Sequence, residues 1–372
     1  HQLGETPRVY GQQEAYTRFF ADLDEGQQLI REYLDEGGDN NKFKEYDMLT
    51  NGKTLKEWLK FANSLRLRLA MRISNVDATL AKDQATKALN DNQGVLEGAR
   101  ETIAVMGKNY INPLCAVAGW GEVYMNASME SIVNGYEDPR GKKWYNTALL
   151  EGYQKQLLGI PIGLPMKDGD ANIYSFCSSL NTSTIGEKTG AVLMSAAEVW
   201  LLRAEAALRG YTKENPRTCY EYGVSTSFTQ WDCAGASEYL ESDKTPADYK
   251  DVVSGGKVGK DMKALITISP KWEEDADIET KLEKIITQKW LACWPESYEA
   301  WAEQRRTGYP KLFKVQSNTG KVIDTDIMIR RLPFSTDAAT ADPAQYATLT
   351  EKLGGADNGA TRLWWDTGKN SF

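Results

Sequence analysis

Amphipathic helix spacing, repeated in blocks and interrupted once by a long aperiodic stretch, constrains this chain more than any other feature. Tyr16, Phe19, Leu23, Ile30 and Leu34 recur at helical intervals and stop at Gly37-Gly38, which reads as one amphipathic helix. Thr54-Leu55-Lys56-Glu57 has the form of a capping box, in which a hydroxyl and a carboxylate satisfy the free amides of a helix start. Leu55, Leu59, Ala62, Leu65, Leu69 and Ile73 then mark one stripe of a second helix, which also carries Arg66, Arg68 and Arg72. A third helix is expected from 77 to about 90, closed by Gly94.

The same grammar returns after residue 190. Ser195-Ala196-Ala197-Glu198 is again box-like, and Ala197, Leu201, Ala204 and Leu208 follow at helical spacing with Gly210 as the stop. The small residues Ala204, Ala206 and Ala207 permit close approach of a neighbour, and residues 216–228 supply an antiparallel partner, so the pair reads as a tetratricopeptide-like hairpin. Another pair is expected from Thr280-Lys281-Leu282-Glu283 through Trp290 to a turn at Pro295, resuming through Tyr298 and Trp301 to Gly308. Strand signals are few and short. The expected class is therefore mainly α, one domain of tetratricopeptide-like helix hairpins: a helical scaffold over 1–94, an irregular insert over 95–190, and helices with a C-terminal segment over 191–372.

Within 95–190 the pattern changes to Gly, Pro, Asn and aromatics, including Asn112-Pro113, Asp138-Pro139, Ile160-Pro161 and Leu164-Pro165, with one helix expected near 122–133. Long irregular segments inside a compact domain are usually functional, so the insert is the expected ligand side.

Composition removes most catalytic chemistries. The single histidine is His1, so Ser-His-Asp and Cys-His triads, HExxH zinc sites and His-based iron sites lack their imidazole. Carboxylates remain the main catalytic option. Cys115, Cys177, Cys219, Cys233 and Cys293 form no CxxC, and only Cys219 and Cys233 lie close enough in sequence to suggest a local bridge. Forty-four Lys and Arg against 52 Asp and Glu give a net charge of −8 with no basic stripe, which argues against nucleic acid as a partner. Gly255-Gly256 and Gly354-Gly355 lack the forms that cradle phosphate. Asp168-Gly169-Asp170-Ala171-Asn172 opens like a calcium loop but lacks Gly at the sixth position and Glu at the twelfth, so it reads as a polar turn. No metal or cofactor is expected.

Several runs resemble the SusD/RagB family of outer-membrane nutrient-binding lipoproteins, in its SusD-like branch. They are Trp58-Leu59-Lys60-Phe61-Ala62-Asn63-Ser64-Leu65-Arg66-Leu67-Arg68-Leu69-Ala70-Met71-Arg72, Asp138-Pro139-Arg140, the helix from Ala197 to Ala207, Tyr222-Gly223-Val224 with Ser227-Phe228, Gln288-Lys289-Trp290, Glu299-Ala300-Trp301, Arg305-Arg306-Thr307-Gly308-Tyr309-Pro310, Arg331-Leu332-Pro333-Phe334 and Trp364-Trp365-Asp366. The resemblance implies a SusD-like α superhelix acting as a surface-exposed lipoprotein of the cell outer membrane. Such a protein hands oligosaccharides, or in some members peptides, to a SusC-like TonB-dependent transporter. It further implies a lipid anchor and helices upstream of His1, since this sequence enters partway through the family pattern.

Eleven Trp and eighteen Tyr suit such a ligand, because aromatic faces attract the apolar C–H faces of sugar rings. Trp58, Trp200, Trp290 and Trp301 lie in periodic helices and are expected to pack. Trp120, Tyr124, Trp144, Tyr145 and Tyr174 lie in the insert beside Glu122, Asn126, Asp170 and Asn172, and are the first candidates to line a ligand site, with Trp231 a further one. Arg305, Arg306 and Tyr309 are expected to cap helix carbonyls. The rival from another class is an α-toroid glycoside hydrolase, which would place two carboxyl groups across one aromatic-lined cleft.

Overall fold

The computed structural model describes residues 8–368 except 51, 107–108, 168–170, 319, 321–322 and 324–327. In chain order the helices are α1 (Gln12–Asp35), α2 (Leu55–Arg72), α3 (Ala78–Leu89), α4 (Pro113–Gly119), α5 (Ala127–Gly135), α6 (Gly141–Trp144), α7 (Ala196–Leu208), α8 (Pro216–Gln230), α9 (Ala236–Leu240), α10 (Ile278–Ala292), α11 (Ser297–Thr307), α12 (Ala338–Ala341) and α13 (Pro343–Leu353). Strands β1 (Ile103–Val105) and β2 (Ala191–Met194) pair antiparallel, with Ile103 opposite Met194. The chain is mainly α, with helix hairpins, as the sequence predicts.

Caps place the helices, and one of them shows local chemistry yielding to tertiary structure. Thr54 Oγ1 accepts the Glu57 amide at 3.2 Å while Glu57 accepts the Thr54 amide at 2.8 Å, so the first box is complete. At α7 only half forms: Ser195 accepts the Glu198 amide at 3.1 Å, but the Glu198 carboxylate turns inward to Arg68. The third expected box is displaced. Asp277 caps α10 by accepting the Thr280 amide at 2.9 Å, and Glu283 instead meets Lys311. On α1 the buried ring is Phe20 rather than Phe19, because Tyr16, Phe20, Leu23, Gln27, Ile30 and Leu34 keep a stricter three-four spacing. On α2, Asn63, Arg66, Leu67, Ala70 and Met71 are buried while Ala62, Leu65 and Leu69 are only half-buried, since α1, α3 and α7 cover it from several sides.

Helix α7 is the hub. Its Ala197, Leu201 and Ala204 face one core with α8, α10 and α5, and its Ala196, Val199, Leu202 and Ala206 face a second core with α2 and α3. Gly223 of α8 makes the α7–α8 approach possible, because a Cβ there would come within 2.6 Å of Leu201 Cγ. Val95, Leu96 and Ile103 join the second core, and Met129, Ile132 and Val133 of α5 join the first. The β1–β2 pair closes the irregular stretch at its base, so it leaves and returns beside the start of α7.

Between these cores lies a network of buried charge. Arg68 and Arg72 of α2, Glu198 and Glu205 of α7, Lys289 of α10, and Glu299, Glu303 and Arg306 of α11 meet with little solvent. Arg68 forks onto Glu198 at 2.7 and 2.6 Å, Arg72 reaches Glu299 at 2.6 Å, and Lys289 reaches Glu299 at 2.9 Å. Arg306 forks onto Glu205 at 2.7 and 2.6 Å and also meets Glu303 and Ser74. Carbonyl capping is thus not what Arg306 does, and the expectation for it is corrected: a neutralising carboxylate pair outcompetes exposed helix-end carbonyls for a buried guanidinium. Arg305 does cap a carbonyl, that of Arg330 at 2.6 Å, and lies 3.6 Å from the Trp301 ring centroid. Tyr309 donates to Glu279 at 3.0 Å rather than to the backbone. All five cysteines are free, so Cys219 and Cys233 do not pair.

Two predictions follow from burial. Arg306→Ala leaves Glu205 and Glu303 buried without their main partner and should cost about 3–5 kcal/mol in urea unfolding, whereas Arg8→Ala, at an exposed pair with Glu14, should cost at most about 1 kcal/mol. Glu130 of α5 behaves oppositely to Glu205, Glu299 and Glu303: burial raises its carboxyl pKa to about 8, against a single stabilising bond from the Gly159 amide. The folded state therefore holds this proton while the unfolded chain loses it, and stability declines as pH rises from the ordinary carboxylate range toward 8. Glu130→Gln should remove that decline, giving a higher melting temperature than wild type at pH 8 and little difference at pH 5. Equal pH dependence of the two proteins would refute the assignment.

Candidate functional site

The insert's aromatics divide into two groups. Asp138-Pro139-Arg140 begins the first. Arg140 is fully buried and forks onto Asp138, with its Nη2 at 2.6 Å, then reaches Ser227 of α8 at 2.8 Å and Gln288 of α10 at 3.1 Å. Its guanidinium lies 4.8 Å from the Phe228 ring centroid and 5.6 Å from that of Trp144. Opposite charge and hydrogen bonds overcome desolvation there, so the arginine stays charged. This residue bolts the insert to the helices.

Beside it, Trp144 stacks on Trp294 at 5.1 Å with 20° between planes, and Trp231 approaches both rings edge-on. Tyr145 accepts a hydrogen bond from Trp294 Nε1 at 3.1 Å, and burial pushes its phenol up to about 12. The structure thus brings Trp144, Tyr145 and Trp231 together, but as the seam between insert and scaffold. Trp144 has no exposed surface and Tyr145 little, so as ligand-facing rings they are corrected to core residues: the apolar faces that a sugar would need are already covered by protein. Trp231, half-buried at the end of α8, belongs to the same cluster. Tyr174 is corrected likewise. It is fully buried in a separate cluster, where its hydroxyl meets Asp251 at 3.1 Å and accepts the Gly259 amide at 3.0 Å.

Trp120 and Tyr124 form the second group. Asn112 caps α4 by accepting the Leu114 amide, with Pro113 at the first helical position, and α4 ends at Trp120 followed by Gly121 at φ 73°. The left-handed Gly121 turns the chain sharply and leaves the Trp120 side of the turn outward, with that residue 68% exposed. Tyr124 donates its hydroxyl to the Gly121 carbonyl at 2.7 Å, so its half-buried ring braces the same turn. Glu122 is exposed between them. Of the other polar neighbours, Asn126 is spent capping α5 and Asn172 caps the short helical turn Ile173–Phe176 that carries Tyr174, while Asp170 lies outside the described residues, as do Asp168 and Gly169 of the calcium-like run.

Sequence reasoning missed other apolar side chains on the insert surface. Leu149 and Phe176 are exposed and joined by a backbone bond of 2.8 Å, and Ile111 and Ile162 are also exposed. Single apolar residues in aperiodic sequence carry no signal of which side they take. Trp294, the centre of the seam, was equally hidden, since only its position before Pro295 marked it. Among the described residues no cluster of His, Cys, Asp and Glu could hold a metal, and no helix is long and apolar enough to cross a membrane.

The comparisons agree with this architecture. The SusD-like family model, described as Susd and RagB outer membrane lipoprotein, matches residues 2–366. A SusD homologue from Bacteroides vulgatus is 56% identical with a TM-score of 0.96, the match covering 100% of this chain and 74% of that one. A chitin-binding SusD homologue from Flavobacterium johnsoniae is 35% identical with a TM-score of 0.92, covering 100% and 76%. A SusD-like protein from Bacteroides thetaiotaomicron is 32% identical with a TM-score of 0.87, covering 98% and 75%. Among curated proteins none matches the chain. A family model matching nearly every residue, over a fold shared at high identity, means that this chain belongs to the SusD-like family of outer membrane lipoproteins.

Proposed function

We propose that the protein is a non-catalytic binder of oligosaccharide at the cell surface, delivering its ligand to a SusC-like TonB-dependent transporter. The observation that carries this reading is the outward Trp120 indole on a braced turn of the insert, with Tyr124 and Glu122 beside it. An exposed ring of that size offers an apolar face to a pyranose, and neighbouring polar groups can take its hydroxyls. Likeness to a chitin-binding relative supports a glycan ligand and makes chito-oligosaccharides the first to test. Membership of a family of outer membrane lipoproteins supports the transporter partnership and the surface exposure in this reading.

A glycosidase mechanism finds less support. A general acid and its partner must face one cleft, whereas the acids of the buried charge network, Glu198, Glu205, Glu299 and Glu303, are each tied to Arg or Lys inside the helical frame. Arg72, Lys289 and Arg68 hold Glu299 down to about 2, despite desolvation, so it is a poor proton donor near neutrality.

Trp120→Ala should weaken chitohexaose binding several-fold by calorimetric titration while shifting the melting temperature by no more than about 1 °C, because an exposed ring contributes on the order of 1 kcal/mol of stacking and little to folding. Trp144→Ala should instead cost about 3–5 kcal/mol of stability. Unchanged affinity in Trp120→Ala for a glycan that the wild type binds would remove this residue from the site. Incubation with a glycan panel should release no reducing sugar, and turnover abolished by a single Asp or Glu substitution would favour the hydrolase.

A further inference from the structure

Helix α1 is apolar on two sides, and the described residues cover only one of them. On the covered side Phe20 and Tyr16 pack with Ile73, Ala81 and Trp364, and Gln27 donates to Asn63 at 2.6 Å. Phe19, Gly26, Leu29 and Tyr33 fall on a second line, about a quarter-turn further round the helix. All four are exposed, Leu29 by 60%, and a Cβ built at Gly26 would meet nothing within 4 Å. The face continues past the end of α1, where Phe43 is exposed and Tyr46 is 65% exposed. Leu29, Tyr33, Phe43, Tyr46 and Leu55 line an apolar hollow of about 270 Å³ there. At the other end of the stripe, Tyr10 and Phe19 line a second hollow of about 370 Å³ against Leu349 and Leu353 of α13.

The distribution of side chains around α1 says what kind of partner is missing. Arg18, Glu25, Gln28 and Glu32 occupy the remaining arc and face water, so the apolar residues take up about half of the circumference. A helix packed on one side carries a narrower stripe, and a helix that ends a stack of hairpins presents a polar outer face. By that measure α1 is an inner member of the stack, with α2 on one side and a second helix due on the other. Gly26, in the middle of the stripe, leaves room for the backbones to approach closely, as Gly223 does between α7 and α8. The lengths of the relatives supply the material for that helix. The homologue that matches every residue of this chain at 56% identity does so with only 74% of its own length, and the 35% identical relative with 76%. About a quarter of each relative therefore lies outside the fold described above, and elements consecutive in sequence are usually neighbours in space.

We propose that the outer stripe of α1, continued by Phe43 and Tyr46, is the docking face for an amphipathic helix of the same polypeptide that precedes residue 1 and packs antiparallel on α1, closest at Gly26. Hydroxyl-radical footprinting tests this on two proteins. One is the 372-residue chain. The other is a chimera in which whatever part of the Bacteroides vulgatus homologue precedes its match to this chain is joined ahead of residue 1. Leu29, Tyr33, Phe43 and Tyr46 should be labelled in the first and protected in the chimera, while Trp120 and Leu149 are labelled equally in both. Leu29→Glu should lower the melting temperature of the chimera by several degrees but shift that of the 372-residue chain by no more than about 1 °C, because Leu29 already meets water there. Gly26→Trp should act in the same way by holding the two helices apart. Equal labelling of the stripe in both proteins, or melting shifts of the same size in both, would overturn the proposal. Protection that grows with concentration in the 372-residue chain alone would also overturn it, and would assign the face to a second copy.

Discussion

The buried ion pairs joining α2, α7, α10 and α11 are the constraint on which the rest of the structure depends. Taking a guanidinium or carboxylate out of water is expensive, and the cost is recovered only if every partner is in place with good geometry. Arg68 on Glu198, Arg306 on Glu205 and Glu303, and Lys289 on Glu299 therefore select one register among four helices that apolar packing alone would allow to slide. The two apolar cores on opposite faces of α7 then close around this frame, and Gly223 lets α8 approach closely enough to complete one of them.

From that frame the insert acquires its position. Arg140 extends the same logic outward, since its charge is neutralised by Asp138 and its remaining donors are used on α8 and α10. The stacked Trp144 and Trp294 seal the joint. Because the seam consumes these rings, the aromatic surface that the insert leaves exposed consists of residues that contribute little to folding, Trp120 above all. Rigid support with a thinly buried rim is what a binding surface needs: preorganisation from below and side chains above whose replacement leaves the core intact.

Helix positions were legible in the sequence because caps and periodicity are local: Thr54, Asp77, Ser195 and Gly308 act within a few residues of where they stand. What local pattern could not show was the fate of charge. Glu198 reads as half of a capping box and becomes a buried partner of Arg68; Arg306 reads as a helix-end cation and becomes the partner of Glu205, 101 residues away. Aromatic roles failed for the same reason. Lack of periodicity around Trp144 and Tyr174 says that they are not on a helix face, but burial in an irregular segment depends on distant residues such as Trp294 and Asp251. The exposure of Trp120, by contrast, has a local origin in the glycine turn that follows it.

The runs that carry the family resemblance are, almost throughout, the runs that build the frame. Arg66, Arg68 and Arg72, Asp138 and Arg140, Gly223 and Ser227, Gln288 and Lys289, Glu299, Arg305 and Arg306, Arg331, and Trp365 with Asp366 all hold elements together through buried charge, stacking or close packing. Trp120 does not lie in those runs. Family membership therefore speaks to the scaffold far more strongly than to the ligand. Two chains can share every one of these pairs and still differ in the glycan they take, because specificity is a difference of affinities set at surfaces the frame supports but does not specify.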